Sequence, residues 1–328
     1  MEAKCPICGA AAELRRVDYP GYRAPDAYSI MSCHDCDLQF AWPFRAGGDI
    51  YEGIYRDPDI VPGYARYAAY ARAIESSPHP LDALAEAEAM YWFVREALKP
   101  RAAGAEIIEI GSGYGYLTQA LRHAGYAARG VDISENAVAA ARRRFGDHYQ
   151  CADVITLARQ APASVDVVVM TEVLEHLDRP LEMLRAIGAL LRPGGAALVT
   201  TPNKGVFAED ALWRTDNPPV HIAWYSKTSL REMARRCELS VRFQDFSAMA
   251  RAKVAGVPHE EGERVGAPIL NADNTVRADM RVSGEDPGWR SGSSPLARLQ
   301  RRRKFLRRAL TMYAREGEII GAVFSKPA

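Results

Sequence analysis

The sequence predicts an α/β fold built on a mainly parallel sheet, and three stretches carry that expectation. An apolar run, Ile107-Ile108-Glu109-Ile110, passes straight into the turn Gly111-Ser112-Gly113-Tyr114-Gly115. Roughly 20 residues past that turn, a second strand-like run, Ala127-Ala128-Arg129-Gly130-Val131-Asp132-Ile133, brings in an acidic residue near its end. A third run, Val165-Asp166-Val167-Val168-Val169-Met170, is too short for an ordinary helix and rich in β-branched residues. That is the composition of a strand covered on both faces in a parallel sheet.

Taken along the chain, residues 1–45 read as a zinc-binding module. Cys5-Pro6-Ile7-Cys8 and Cys33-His34-Asp35-Cys36 are two C-x-x-C knuckles, and Cys5, Cys8, Cys33 and Cys36 at that spacing suit a tetrahedral, structural zinc with no open position for catalysis. So short a segment buries little apolar surface alone, and ligation would supply much of its stability. Disulfides are the competing reading. The chain shows no N-terminal apolar secretion segment, and C-x-x-C pairs inside cells favour metal or redox chemistry. His34 reads as a bystander. Residues 46–100 form a mostly helical linker or substrate cap, with a helix expected from Asp82 to Lys99 and stopped at Pro100. Residues 101–328 form the main domain, with an insertion at about 247–310.

In the main domain, glycines at alternate positions let the backbone turn sharply, and the helix expected from near Tyr114 opens with unpaired N–H groups that favour an anionic ligand. A dinucleotide fingerprint would put a further glycine at position 116, which is Tyr116 here. Ser134 can cap a helix running to about Phe145. Tyr149-Gln150-Cys151-Ala152-Asp153-Val154 forms a further strand end, and the Val165 run exits through Thr171-Glu172-Val173-Leu174-Glu175-His176. A helix from about Pro180 to Leu191 and the turn Arg192-Pro193-Gly194-Gly195 lead into a strand that ends at Asn203. Residues 247–295 are polar; from Leu296 to Tyr313 the pattern is helical, with Leu299, Leu306, Leu310 and Tyr313 on one stripe. The arginines off that stripe form either a solvated face or a surface for a phosphate-bearing substrate, an acyl carrier or RNA. Glu318 to Phe324 reads as a last strand, and Cys151 and Cys237 as buried small apolar residues.

The E-x-G-x-G-x-G form of Glu109 to Gly115 resembles motif I of the class I S-adenosylmethionine (SAM) dependent methyltransferases, and the E-V-L-E-H segment resembles their ubiquinone-biosynthesis-like branch. The resemblance spans about 105–246 and 317–326. It implies a Rossmann-like, seven-stranded fold, with the 247–295 stretch inserted between the sixth and seventh strands. It also implies a cofactor site of Glu109, Gly111, Ser112, Gly113, Gly115 and Tyr116, with Asp132 and Ile133 at the ribose, Asp153 and Val154 at the adenine and Glu172 beside the methionine moiety. His176, Asn203, Tyr51, Tyr55 and Tyr64 would line the substrate pocket. Pro218-Pro219-Val220-His221-Ile222-Ala223-Trp224-Tyr225-Ser226 resembles a family segment near the methyl-transfer centre, where His221 either takes a proton or fixes the loop. The N-terminal cysteines followed by a tyrosine-bearing linker are similar in architecture to deoxysugar C-methyltransferases, although the acid that flanks the family's histidine is missing before His221.

Composition sets the remaining bounds. An apolar content of 48% is that of an ordinary soluble protein, and a net charge of +1 exerts no global pull toward nucleic acid. The apolar runs are strand-sized, far short of the roughly 20 residues of a membrane helix, and the expected compartment is the cytoplasm. The expected function is methyl transfer from SAM to a small-molecule acceptor: a sugar nucleotide, a carrier-bound or a natural-product intermediate. An RNA base methyltransferase and a catalytically silent SAM-fold partner protein are the alternatives. If Arg301, Arg302 and Arg303 belong to a solvated face, replacing all three by Ala will leave substrate KM unchanged; a raised KM would assign them to a phosphate-bearing or carrier-bound acceptor.

Overall fold

The computed structural model describes residues 3–206, 217–251, 267–282 and 319–328. Its strands are β1 (Glu13–Pro20), β2 (Ala27–Ser32), β3 (Gln39–Trp42), β4 (Glu106–Ile110), β5 (Ala127–Asp132), β6 (Tyr149–Cys151), β7 (Val165–Thr171), β8 (Leu191–Pro202), β9 (Ala223–Trp224), β10 (Ser240–Phe243) and β11 (Ile319–Ser325). The helices are α1 (Gly48–Arg56), α2 (Ala65–Ala73), α3 (Pro80–Ala87), α4 (Ala89–Leu98), α5 (Tyr116–His123), α6 (Glu135–Phe145), α7 (Val154–Gln160), α8 (Pro180–Leu190), α9 (Lys227–Arg236) and α10 (Ser247–Arg251).

Seven strands form the main sheet in the order β10-β11-β8-β7-β4-β5-β6. The pairs from β8 to β6 are parallel, and β11 runs antiparallel to both neighbours. The period of two along each strand divides the apolar residues between two cores. Ile108, Ile110, Val168 and Met170 pack with Leu157 of α7, Ile187 of α8 and Leu230 of α9. Ile107, Val167, Val169 and Leu198 pack with Leu84 of α3, Phe93 of α4 and Leu117 of α5. The chain leaves β4 for β5 and β6 on one side and returns to β7 on the other, so a crevice opens beyond the C-terminal ends of β4 and β7.

The helix expected over 82–99 is two, α3 and α4, separated at Glu88, which is extended at φ −139° and ψ 149°. The Glu88 carboxylate accepts from Arg66 Nε (3.0 Å) and the Tyr70 hydroxyl (2.6 Å), interactions with distant side chains that no local pattern encodes. Phe93 of α4 is fully buried, and a Cβ on Gly321 of β11 would lie 2.9 Å from its ring. The linker therefore packs directly on the main sheet. Helix α5 begins at Tyr116, two residues later than expected, because Gly115 takes a left-handed φ of 78° at its N-cap. Cys151 is exposed instead of buried, since β6 is a three-residue edge strand of which only Tyr149 turns inward, and Cys237 is half-buried.

The N-terminal cysteines lie in turns that flank a second sheet, β1-β2-β3-β9, antiparallel throughout. Its last strand comes from the main domain: Gln39 and Phe40 pair with Trp224 and Ala223. Strand β1 is the other edge, with register shifts between Leu14 and Arg16 and between Arg16 and Tyr19. From the insertion, residues 267–282 pack Ile269, Leu270 and Val276 against Tyr22, Ile50 and Ile54, with Ile269 and Leu270 N–H both donating to the Tyr22 carbonyl. The basic helix expected over 296–313 and residues 213–216 lie outside the described residues. Among the described residues, no helix is long and apolar enough to cross a membrane.

Phe93→Ala should cost about 3–5 kcal/mol of unfolding free energy, the usual loss for emptying a buried aromatic site, read as a lower denaturation midpoint. Val17→Ala, on the exposed edge strand β1, should stay within about 0.5 kcal/mol of the parent chain.

Candidate functional site

The glycine turn occupies the crevice between β4 and β7. Gly111, Gly113 and Gly115 all have positive φ, at 72°, 47° and 78°, where a side chain is disfavoured. Their surroundings differ. A Cβ on Gly111 would lie 2.5 Å from the Val173 side chain and one on Gly115 2.6 Å from Tyr149, whereas one on Gly113 would meet nothing within 4 Å. The outer two are packed by protein and the middle one faces open space. Asp132 closes β5 beside it, buried, accepting from Gly113 N–H (2.8 Å) and Ser134 N–H (2.9 Å). Burial raises its pKa while these backbone donors oppose the rise.

Three features of this cradle are incomplete. Ser112 Oγ and Tyr114 Oη are buried with no hydrogen-bond partner, and Ile133 is 81% exposed next to Asp132. Orphaned hydroxyls, a bare apolar side chain and an open glycine are what a bound nucleoside would complete, so the residues fit SAM. Beneath the turn, buried Glu109 accepts from the Thr118 hydroxyl and so ties β4 to α5; burial pushes its carboxyl up to about 8. Asp153 is the N-cap of α7. Its carboxylate accepts from the Thr156 hydroxyl (2.7 Å) and from the N–H groups of Thr156 and Ile155, and those bonds hold its pKa down. Val154 turns into the core with Ile110 and Val131.

At the other end of the crevice, Glu172 closes the exit from β7 with a φ of 51°, a strained position for a residue with a side chain. Thr200 holds it, donating its hydroxyl to Oε1 (2.8 Å) while accepting from the Glu172 N–H (3.2 Å). The single 3₁₀ turn Leu174–His176 then swings Glu175 and His176 toward His221. Glu175 is fully buried and its Oε2 accepts from the Thr201 hydroxyl (2.8 Å). His176 Nδ1 lies 2.6 Å from the Val220 carbonyl and 2.8 Å from the Tyr51 hydroxyl, and its ring meets His221 edge-on at 4.6 Å. His221 is buried, and burial followed by the charge of Arg66 lowers its pKa to about 3. It stays neutral at physiological pH and, as it stands, is a weak proton acceptor. Asn203, buried at the end of β8, accepts from Gly205 N–H (3.0 Å).

A file of tyrosine rings joins the two ends. Tyr51 stands edge-on to His176 (5.9 Å) and contacts Tyr55 (6.4 Å), and Tyr55 contacts Tyr114 of the glycine turn (5.7 Å). A branch continues through Tyr64 and Tyr67 to Tyr116. The Arg66 guanidinium lies 4.4 Å over the Tyr67 ring and pairs with Glu88. Burial drives the Tyr51, Tyr55 and Tyr64 phenols well above their usual range, so each remains a neutral hydroxyl.

The four cysteines of the second sheet converge. Cys5 and Cys36 sulfurs are 3.5 Å apart, Cys8 and Cys33 3.3 Å, and all four lie within 4.8 Å of one another. A zinc ion with bonds of about 2.3 Å separates its sulfurs by about 3.8 Å, close to this spacing. Hydrogen bonding from Cys36 lowers Cys5 to about 5, while burial pushes Cys8 up to about 11 and the bond to Cys5 raises Cys36. Such a set shares protons without a cation and loses them to one.

Sequence reasoning missed several contributors. Glu175 lies in the E-V-L-E-H segment, three residues after Glu172, and its burial against Thr201 has no local signature. Arg66, Thr118 and Tyr114 were passed over because their roles arise from contacts across the fold.

Residues 85–242 match a family model described as a methyltransferase domain. The ubiquinone biosynthesis O-methyltransferase of Idiomarina loihiensis is 36% identical over 108 residues, which are 31% of this chain and 44% of that protein. Its counterpart in Xanthomonas campestris pv. campestris is 33% identical over 130 residues, 38% of this chain and 53% of that protein. The chain thus spans about half the length of these relatives. Among solved structures, a SAM-dependent methyltransferase from Archaeoglobus fulgidus is 17% identical, with 72% of this chain and 94% of that one covered and a TM-score of 0.42. The putative methyltransferase complexed with the Trm112 activator from Haloferax volcanii is 20% identical, with 72% and 90% covered and a TM-score of 0.44. Both likenesses are loose. Residues 85–242 are thus similar to a methyltransferase domain, and the seven-stranded sheet with its glycine turn is the class I methyltransferase fold.

Gly115→Ala should abolish SAM binding in a calorimetric titration, because the new methyl would enter the space of Tyr149 and Ala141 at a left-handed φ. Glu109 gives a pH test. Its folded pKa of about 8 lies above the usual 4.5, so its contribution to stability is complete below about pH 4.5 and disappears as pH rises toward about 8. Glu109→Gln should therefore gain thermal stability over the parent chain on going from about pH 5 to about pH 8.5, and a constant difference would show that Glu109 ionises normally.

Proposed function

We propose that this chain methylates a hydroxyl oxygen of a small-molecule acceptor, using SAM, with the acceptor held between the glycine cradle and His221. The observation that carries the reading is the unbroken line of side chains from Gly113 and Tyr114 through Tyr55 and Tyr51 to His176 and His221. It joins the glycine turn, open at Gly113, to the polar cluster of His176 and His221. SAM when bound supplies a methyl group already activated on a sulfonium. The chain's own task is then to align an acceptor and exclude water.

Asp132 would take the ribose hydroxyls, Asp153 the adenine amino group and Ile133 the adenine face, with Ser112 and Gly113 at the cradle and Glu172 at the methionine end. Tyr51, Tyr55 and Tyr64 would roof the acceptor, and His176 and Asn203 would line its far side. His221 would present a neutral imidazole to the acceptor oxygen. An oxygen acceptor is supported by the O-methyltransferase relatives, and a flat or ring-bearing one by the tyrosine wall. Sugar-nucleotide, carrier-bound and natural-product intermediates all include such hydroxyls. Cys5, Cys8, Cys33 and Cys36 would hold a structural zinc.

The test is methyl-labelled SAM incubated with the chain and fractionated cell extract. Label should enter the small-molecule fraction with release of S-adenosylhomocysteine, and Asp132→Ala should suppress both. Label confined to RNA, or no transfer to any fraction, would overturn the reading.

A further inference from the structure

A cleft of about 410 Å³ opens at the β5–β6 edge of the main sheet, lined by Arg122, Arg129, Arg142 and His148 together with Glu106 and Asp147. It reaches toward the strand starts, for Glu106 and Ala127 on its wall begin β4 and β5, whereas the glycine turn follows the last residue of β4. The cleft exists because β6 is short. Its ladder to β5 starts with Tyr149 opposite Gly130, so among the described residues Ala127, Ala128 and Arg129 have no partner strand on that side.

Two of the arginines are fixed in place with donors to spare. Arg122, in the last turn of α5, donates Nη1 to the Ala128 carbonyl (2.9 Å), and Arg142, in the last turn of α6, donates Nε to the Tyr149 carbonyl (2.9 Å). A guanidinium carries five N–H donors in one plane, so these bonds orient each group and leave other donors for a ligand. Arg129 is held differently. Its Nε is buried with no hydrogen-bond partner. Among the described residues neither Arg122 nor Arg129 has an ion-pair partner, Glu106 included, whereas Arg142 pairs with Asp147 (3.0 Å), whose side chain is 87% exposed. A half-buried guanidinium without a counter-charge is costly, and an anion in the cleft would offset that cost.

We propose that this cleft binds the phosphate or diphosphate group of a small molecule, with Arg129 as its principal partner and Arg122 and Arg142 beside it. Planar guanidinium forks match phosphate oxygens two at a time, which an ammonium group does not. The volume of the cleft falls within the roughly 300–1,000 Å³ of small-molecule sites. Neither the glycine cradle nor the cluster around His221 contributes to its lining, so the site is separate from both. Binding there is independent of methyl transfer.

The test is a calorimetric titration of the full-length chain with inorganic pyrophosphate, at an ionic strength held constant with NaCl and with excess S-adenosylhomocysteine present to occupy the glycine turn. One equivalent should bind. Arg129→Gln should weaken it by about 10-fold or more, the loss expected for removing a hydrogen-bonded charge. Arg129→Lys, which keeps the charge without the fork, should recover only part of that loss. Arg122→Gln should weaken binding as well, which keeps the test sound should the Arg129 variants fail to fold. No binding above the NaCl baseline, displacement of pyrophosphate by S-adenosylhomocysteine, or equal binding in all folded variants would overturn the proposal. So would a uridine oligonucleotide that binds more tightly than pyrophosphate and depends on Arg129, since the cleft would then be a contact for RNA.

Discussion

The pairing of β3 with β9 is the constraint on which the cluster of Glu175, His176 and His221 depends. Only two residue pairs are involved, Gln39 with Trp224 and Phe40 with Ala223, yet they are flanked on both sides by groups that matter. Upstream, Ile222 accepts from Ala41 N–H and donates its own N–H to the Glu175 carbonyl. Downstream, the Tyr225 hydroxyl donates to the Leu174 carbonyl. The second sheet therefore fixes the backbone that follows His221 and, through it, the 3₁₀ turn that carries Glu175 and His176. The placement of β3 and the geometry around His221 are mechanically one problem, although they are almost two hundred residues apart in sequence.

Several ionisable groups are buried, and three of them have a compensating arrangement. Thr118 donates to Glu109 and opposes the rise that burial imposes on its carboxyl, Glu88 pairs with Arg66, and Asp132 is stabilised by backbone donors. Glu109 and Asp132 stand near the C-terminal ends of β4 and β5, beside the glycine turn, and Glu88 stands between α3 and α4. Burying ionisable groups costs stability, and two of them beside one glycine turn are what a site that uses their polarity requires.

Much of this was legible in the sequence, for identifiable reasons. The seven-stranded sheet follows from β-branched runs and glycine turns whose meaning is local, and the cysteine cluster from knuckles that declare their ligands by spacing. The acidic residue ending β5 was readable because a strand end after a glycine turn has few roles to fill. What escaped was everything set by contacts across the fold. The break at Glu88 is fixed by Arg66 and Tyr70, so no helical period could reveal it. Cys151 was misplaced because strand composition does not tell an edge strand from a central one. The convergence of Glu175 on two histidines needs a 3₁₀ turn and a cross-sheet threonine, neither of which leaves a mark in a motif.

Strand β1 has a consequence of another kind. It is the open edge of the second sheet, with Leu14 and Val17 facing solvent, and an open edge is a template for a foreign strand. Its two register shifts kink the ladder, and Glu13, Arg15, Arg16 and Asp18 set charges of both signs along it. An incoming β-strand would find neither a straight row of donors and acceptors nor an uncharged surface. The irregularity of this hairpin thus protects the chain from edge-to-edge aggregation at high concentration, a safeguard that a straighter and more regular β1 would lack.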